Sequence, residues 1–390
     1  MPTSSADLRL ALAGLAALAL AMGIGRFAFT PLLPMMESDG LLTISQGGLL
    51  ASVHFAGYWI GALLAVRLPS SPGAVLQTSL VAVALTTLGM GLTTDLSVWL
   101  ALRFLAGVVS AFTFVLVSNH VIKTLQASGR TALQAWVFSG VGAGIAVAGL
   151  GVLALMAAHA GSATGWQIIG AASLVVAVVL CAQFHNRFTA SHVSSADGTH
   201  ARTPLAWRPI LAYGALGVGY IIPATYLPVM ARDVIDAPLI FGWSWPVFGA
   251  AAFISTPLAV RAERFLTNRQ LWVVSQFVMA AGLLLPALIP HIAAIIAAGI
   301  CVGGTFMIIT MAGMKDAHRI ASGPDVHRHI AVMTAAFATG QMVAPIIAGW
   351  TYGVTQSFAA PLLLASAALV LTAAALPRRT RTAQLRRSRG

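Results

Sequence analysis

The sequence predicts an all-α membrane protein, with twelve transmembrane helices arranged as two pseudo-symmetric six-helix bundles. Three observations carry that expectation. The 390 residues are 58% hydrophobic and only 8% charged, a composition at odds with a soluble globular core. Apolar stretches long enough to cross ~30 Å of hydrocarbon recur along the whole chain, separated by short polar breaks. The 22 Lys and Arg residues are also distributed unevenly between the two sets of breaks. Arg26 and Arg103 fall inside apolar spans and Arg232 in an odd-numbered loop, and the other 19 occupy the N-terminus, the even-numbered loops and the tail. That is the positive-inside pattern, with both termini cytoplasmic. It also accounts for the net charge of +12 without a nucleic-acid partner, and makes anionic lipid headgroups the natural neighbours of the tail.

Taken in order, the first span is 10–36, entered after Arg9 and interrupted by Arg26 within GIGRFAFTPLLP. An Ala/Leu-rich start of this kind imitates a secretory signal peptide. Span two is 44–66 and carries His54 and Tyr58. Spans three to six are 73–92, 97–119, 134–156 and 164–184, with Arg103 in the fourth. The longest polar interruption, 185–207, reads as a cytoplasmic linker. It separates an N-terminal bundle, 1–184, from a C-terminal one, 208–376. Spans seven to twelve are 208–231, 239–260, 270–289, 292–313, 329–352 and 358–376, followed by the basic cytoplasmic tail 377–390 with its six arginines. Cys181 and Cys301 both fall within spans and read as small packing residues.

The halves repeat one plan. MGIGRFAFTPLLPMM (22–36) aligns with LGVGYIIPATYLPVM (216–230) at an offset of 194, matching Gly23, Gly25, Leu33, Pro34 and Met36 to Gly217, Gly219, Leu227, Pro228 and Met230. The same offset carries Ala65-Val66-Arg67 onto Ala259-Val260-Arg261. Thr113-Phe114 and Lys123 also match Thr305-Phe306 and Lys315, and Gly140 and Gly149 match Gly340 and Gly349. Two parallel repeats of six spans are the internal symmetry of alternating-access transporters, whose site lies at the midplane between them. Removal of the first apolar segment would delete the partner of span seven, which argues against cleavage.

RFLAGVVSA, 103–111, is similar to the Arg-x-x-x-Gly signature of span four in the major facilitator superfamily. GIGRFAFTPLLP, GYIIPATYLPVM and GGTFMIITMAG resemble, more narrowly, its bacterial YbfB/YjiJ-type branch. The resemblance implies a secondary transporter of the inner membrane and a conformational role for Arg103. Two departures stand out. Where the superfamily places an Asp-Arg pair after span two, this chain has Val66-Arg67, and Val260-Arg261 repeats the omission. Arg67 and Arg261 remain candidates for gating at the cytoplasmic ends of spans two and eight. Span eleven carries GQMVAPIIAG, similar to a span-five pattern of drug/proton antiporters, and reads here as a packing and bending device.

Membrane-embedded polar residues define the candidate site. Arg26 lies ten residues before Met36, roughly 15 Å from the outer boundary at ~1.5 Å per residue. His54 reaches a similar depth. A charge there is disfavoured by ~2.5–3.5 kcal/mol, so such residues face a cavity or a partner. All ten acidic residues fall in loops, tails or span ends. Arg26 therefore takes backbone carbonyls exposed by the glycines and prolines of its span, or water, or an anion from outside, which a guanidinium fork suits well. Tyr220, its symmetry mate, either donates to the same ligand or packs as an aromatic. His54 is a candidate proton carrier or a neutral hydrogen-bonding group within the bundle. An anion beside Arg26 would offset its repulsion with a protonated His54, so that anion and proton binding reinforce one another. Tyr58 extends the same face, and Thr305 and Gln341 are candidates to complete a polar lining unless they bond their own helices. Arg103 is close enough to the outer end of its span to snorkel or to approach Asp95.

These residues point to a secondary active transporter for a small organic anion, such as a monocarboxylate, working as a monomer by proton symport or by exchange. An efflux antiporter for amphipathic or cationic compounds is the alternative, with aromatic and Met side chains as its adaptable surface. The histidines at 185, 192, 200, 318, 327 and 329 fit no zinc spacing. No phosphate loop, nucleophile elbow or metal motif is present in the sequence, so no enzyme, cofactor or metal is expected.

Overall fold

The computed structural model describes residues 5–65, 72–184, 204–321 and 324–376. Its regular elements are helices, as expected where lipid offers the backbone no hydrogen-bond partners. In chain order they are α1 (Ser5–Ser38), α2 (Ile44–Leu64), α3 (Pro72–Gly89), α4 (Leu96–Ala127), α5 (Thr131–Ala157), α6 (Ser162–Phe184), α7 (Trp207–Val234), α8 (Pro238–Ala262), α9 (Asn268–Leu288), α10 (Ile292–Ile320), α11 (Pro324–Thr355) and α12 (Ala359–Ala375). Eleven are long and apolar enough to cross a membrane, and α12 is an apolar helix of 17 residues. Several run past the apolar spans expected from the sequence, most clearly α4, which reaches Ala127, and α10, which reaches Ile320. Hydropathy marks only the hydrocarbon-length part of a helix. Backbone bonding carries the rest onward through polar residues such as Lys123 and Asp316. Side chains cap several starts: Thr43 and Gln46 form a reciprocal box before α2, and Asp95 accepts from the backbone N–H groups of Ser97 and Val98 at 2.7 and 3.2 Å before α4.

Packing follows the repeat. In the first half α1 lies on α5, α2 on α4, and α3 on both α4 and α6; in the second, α7 lies on α11, α8 on α10, and α9 on both α10 and α12. The same pairs thus recur six helices later. Across the interface α5 meets α8 and α2 meets α11, while α1 meets its own repeat mate α7. A pseudo-two-fold axis therefore passes between α1 and α7. Small residues permit these approaches: a Cβ on Gly107 of α4 would run into the His54 carbonyl of α2, and one on Gly142 of α5 into the backbone of Phe253 on α8.

The contacts of α1 with α7 and of α2 with α11 gather towards the end that carries the odd-numbered loops. Arg232, at the end of α7, pairs with Glu37 at the end of α1 and donates to the Pro34 carbonyl at 3.0 Å. Ser45 of α2 donates to the Gly349 carbonyl of α11 at 2.8 Å. At the opposite end each ion pair among the described residues stays within one bundle: Arg130 meets Asp7 at 3.8 Å in the first, and in the second Arg269 meets the buried Asp316 at 2.9 Å and Lys315 meets Glu263. Arg261 is exposed there at the end of α8, and Arg67 lies outside the described residues.

Substituting Gly107→Val places a branched side chain against the α2 backbone. We predict a destabilisation of about 1–3 kcal/mol or more, read as a lower melting temperature of the purified protein. An unchanged melting curve would show that α2 and α4 are not held this closely.

Candidate functional site

The site begins with the local winding of α1. Ala19–Ile24 forms a π-helix, and the Gly25 N–H bonds back to the Leu20 carbonyl. The Ala21 carbonyl thereby loses the partner an α-helix would supply, and Ser110 of α4 donates to it at 3.0 Å. Two turns earlier on the same face of α4, Arg103 donates to the Gly25 and Arg26 carbonyls, each at 3.2 Å. Prolines release further carbonyls. Pro228 has no N–H to offer the Ala224 carbonyl, which instead accepts from Thr30 of α1 at 2.5 Å.

Arg26 stands at the interface between the bundles. It is 5% exposed and its Nη2 donates to the Tyr220 hydroxyl of α7 at 2.6 Å. Its guanidinium carbon lies 4.9, 4.7 and 5.1 Å from the ring centroids of Phe27, Phe55 and Tyr58. Cation–π attraction of this kind contributes about 0.5–2 kcal/mol per contact. Its Nε is buried without a hydrogen-bond partner. Among the described residues no carboxylate pairs with it: Glu37 and Asp233 answer Arg232, Glu263 answers Lys315, and Asp316 answers Arg269. Tyr220 is held in turn by Gln341 of α11, whose amide donates to the same hydroxyl, and by Phe306 and Phe337, which stack on its ring at 5.2 and 5.7 Å.

Of the residues singled out from the sequence, Arg26, Tyr58, Tyr220 and Gln341 therefore meet in one cluster. His54 lies behind it, fully buried between α2 and α4, its ring edge-on to Phe55 at 5.6 Å. It is within electrostatic reach of both Arg26 and Arg103, and neither ring nitrogen makes a hydrogen bond of normal geometry. Thr305 stands apart, because its hydroxyl donates to the Cys301 carbonyl of its own helix at 2.6 Å. Arg103 differs from expectation. At 3% exposure, over the Phe29 ring at 4.9 Å and bonded to α1 carbonyls, it neither snorkels nor approaches Asp95. Depth along a span fixes a residue's height but not the direction it faces, and Arg103 faces the opened backbone of α1.

Sequence reading alone missed Thr30, Ser110 and the rings of Phe27, Phe55, Phe306 and Phe337. A signal for Thr30 was present. It sits one turn after Arg26, and Arg26–Tyr220, Thr30–Ala224 and Ser38–Arg232 are all contacts at the repeat offset of 194. Residues facing a two-fold axis meet their own counterparts.

A sequence profile described as "Uncharacterised MFS-type transporter YbfB" matches residues 18–376. The chain belongs to this family. It is 26% identical over 252 residues to an uncharacterized MFS-type transporter of Yersinia enterocolitica, a match covering 60% of this chain and 62% of that one. It is 33% identical over 106 residues to another of Yersinia pestis, covering 27% and 28%. The matched stretches thus span less than two thirds of these curated relatives. In fold, the chain is similar to the nucleoside transporter NupG, with a TM-score of 0.70 and 13% identity over 95% of this chain and 98% of that one. It is also similar to a bacterial homolog of the human lysosomal transporter Spinster, with a TM-score of 0.65 and 15% identity over 96% and 95%. Family and fold together describe a multi-pass membrane protein built on the major facilitator fold.

Replacing Tyr220 by Phe keeps the stacked rings but removes the oxygen that Arg26 and Gln341 share. A hydrogen bond to a charged group contributes about 1.5–3 kcal/mol, so Tyr220→Phe is expected to lower thermal stability in the ligand-free protein while leaving it monodisperse. Stability equal to wild type would mean that the Arg26–Tyr220 bond contributes nothing.

Proposed function

We propose that this transporter carries a small organic anion, with Arg26 as the group that binds its charge. The supporting observation is the setting of Arg26: a fixed cation on the contact between the two bundles, close to the pseudo-two-fold axis, with no carboxylate among the described residues to neutralise it. Tyr220 adds a second donor. Its oxygen accepts from Arg26 and Gln341, which leaves the hydroxyl proton for an incoming oxyanion. The Nε of Arg26, buried without a hydrogen-bond partner, is a further donor that a carboxylate would satisfy.

In the proposed orientation the termini are cytoplasmic in the bacterial inner membrane and the odd-numbered loops face outward. The contacts of α1 with α7 and of α2 with α11 then close the outer half, as in an inward-facing state. The similar Spinster homolog is described in that conformation. Alternating access would transfer the anion by rocking the bundles about the Arg26–Tyr220 contact. Proton coupling would use His54, where a bound anion offsets the repulsion between an imidazolium and Arg26. Exchange of one anion for another needs no such residue.

Two experiments test this reading. In proteoliposomes loaded with the purified protein, Arg26→Ala is expected to reduce uptake of labelled short-chain monocarboxylates by about 10- to 100-fold, and Arg26→Lys to restore it only in part, since an ammonium lacks the planar fork. Wild-type vesicles that take up nucleosides or organic cations but no anion would refute the substrate class. For coupling, His54→Gln is expected to flatten the pH dependence of uptake; a profile identical to wild type would remove His54 from the mechanism.

A further inference from the structure

The π-helix at Ala19–Ile24 is not required by the two-bundle plan, because α7, the repeat mate of α1, is α-helical throughout Trp207–Val234. A π segment holds one residue more than an α segment of the same rise, so the chain beyond it is turned by about 100° relative to an uninterrupted α-helix. Arg26 follows two residues after this segment, and Thr30 one turn later. The turn therefore decides which face of α1 is presented to α7.

A π segment in hydrocarbon leaves a carbonyl without its partner, and such a group costs several kcal/mol unless another donor reaches it. The unpartnered carbonyl is that of Ala21, and the donor is the fully buried Ser110 hydroxyl at 3.0 Å. Ser110 bonds another helix here, whereas nearby Thr113 returns its hydroxyl to the Val109 carbonyl of α4. Gly25 carries no Cβ, which would stand 2.5 Å from Val83 of α3, and Ser110 Oγ lies 3.7 Å from that point, at ordinary contact distance. Arg103, on the same face of α4, holds the next two carbonyls, those of Gly25 and Arg26. The middle of the turned segment and the residues just after it are thus fixed from α4.

We propose that Ser110 is a positioning residue. Its hydroxyl sustains the π-helix of α1 and so keeps Arg26 aimed at Tyr220 across the interface. Without it, the Ala21 carbonyl regains a partner when the segment relaxes to an α-helix, and the relaxation swings Arg26 and Thr30 away from α7. The functional consequence rests on the reading of Arg26 as the anion-binding group, but the geometry is testable without any substrate.

The chain has five tyrosines, so the full-length protein labelled with 3-fluorotyrosine gives a simple fluorine NMR spectrum in which Tyr220→Phe identifies the Tyr220 resonance. Arg26→Ala supplies the shift produced by losing the guanidinium. Ser110→Ala is expected to move the Tyr220 resonance in the same direction, Ser110→Thr to return it, and Tyr352, remote at the end of α11, to stay in place in all variants. A Tyr220 resonance unchanged in Ser110→Ala overturns the proposal, as does an equal displacement in Ser110→Ala and Ser110→Thr. Collapse of every resonance in Ser110→Ala also overturns it, because Ser110 would then serve the fold as a whole. If the shifts follow expectation while wild-type proteoliposomes take up no labelled monocarboxylate, the positioning role stands and the anion reading falls.

Discussion

A guanidinium at the contact between two bundles, answered by a phenol and three aromatic rings instead of a carboxylate, sets the character of its surroundings. Within hydrocarbon a charge cannot be left to water, and this one receives a hydrogen bond acceptor in Tyr220 and polarisable faces in Phe27, Phe55 and Tyr58. Those contacts lower the cost of burying the charge. They do not cancel the charge, and the proposed anion is the partner that would.

Much of the neighbouring structure deals with displaced backbone bonds. Each proline or π turn that bends or re-aims α1 and α7 frees a carbonyl, and each named carbonyl has a donor from another helix: Ser110 for Ala21, Arg103 for Gly25 and Arg26, Thr30 for Ala224. Helix α4 thereby acts as a brace for α1. It is brought close by Gly107, whose missing side chain lets the α2 backbone at His54 lie against it. One set of contacts joins the Arg-x-x-x-Gly signature, the buried histidine and the interface arginine.

The architecture was legible in the sequence because lipid imposes length and apolarity on every spanning helix, and because the 194-residue offset preserved Gly-x-Gly and Leu-Pro-x-Met in both halves. The pairing of Arg26 with Tyr220 followed from that offset once the axis was known to run between α1 and α7. Other features left no such trace. A one-residue π insertion barely alters a hydropathy pattern, so the turning of Arg26 was hidden. The direction of Arg103 was hidden for a related reason, since periodicity within an almost wholly apolar span gives little sense of azimuth. Thr305 illustrates the opposite case: its depth suited a binding role, but a threonine in a helix can reach the carbonyl four residues back, and this one does.

The axis itself has a consequence for how the two repeats could diverge. Where a duplicated chain folds against its own copy, a residue on the seam confronts the descendant of the same codon, and an arginine kept in both halves would set two like charges face to face at hydrogen-bonding range. Once one occupant is an arginine, the other has to be unlike it and able to receive its proton donors. A tyrosine opposite an arginine satisfies that demand, so the lopsidedness of the Arg26–Tyr220 contact is the form that self-complementarity takes in a fused tandem repeat.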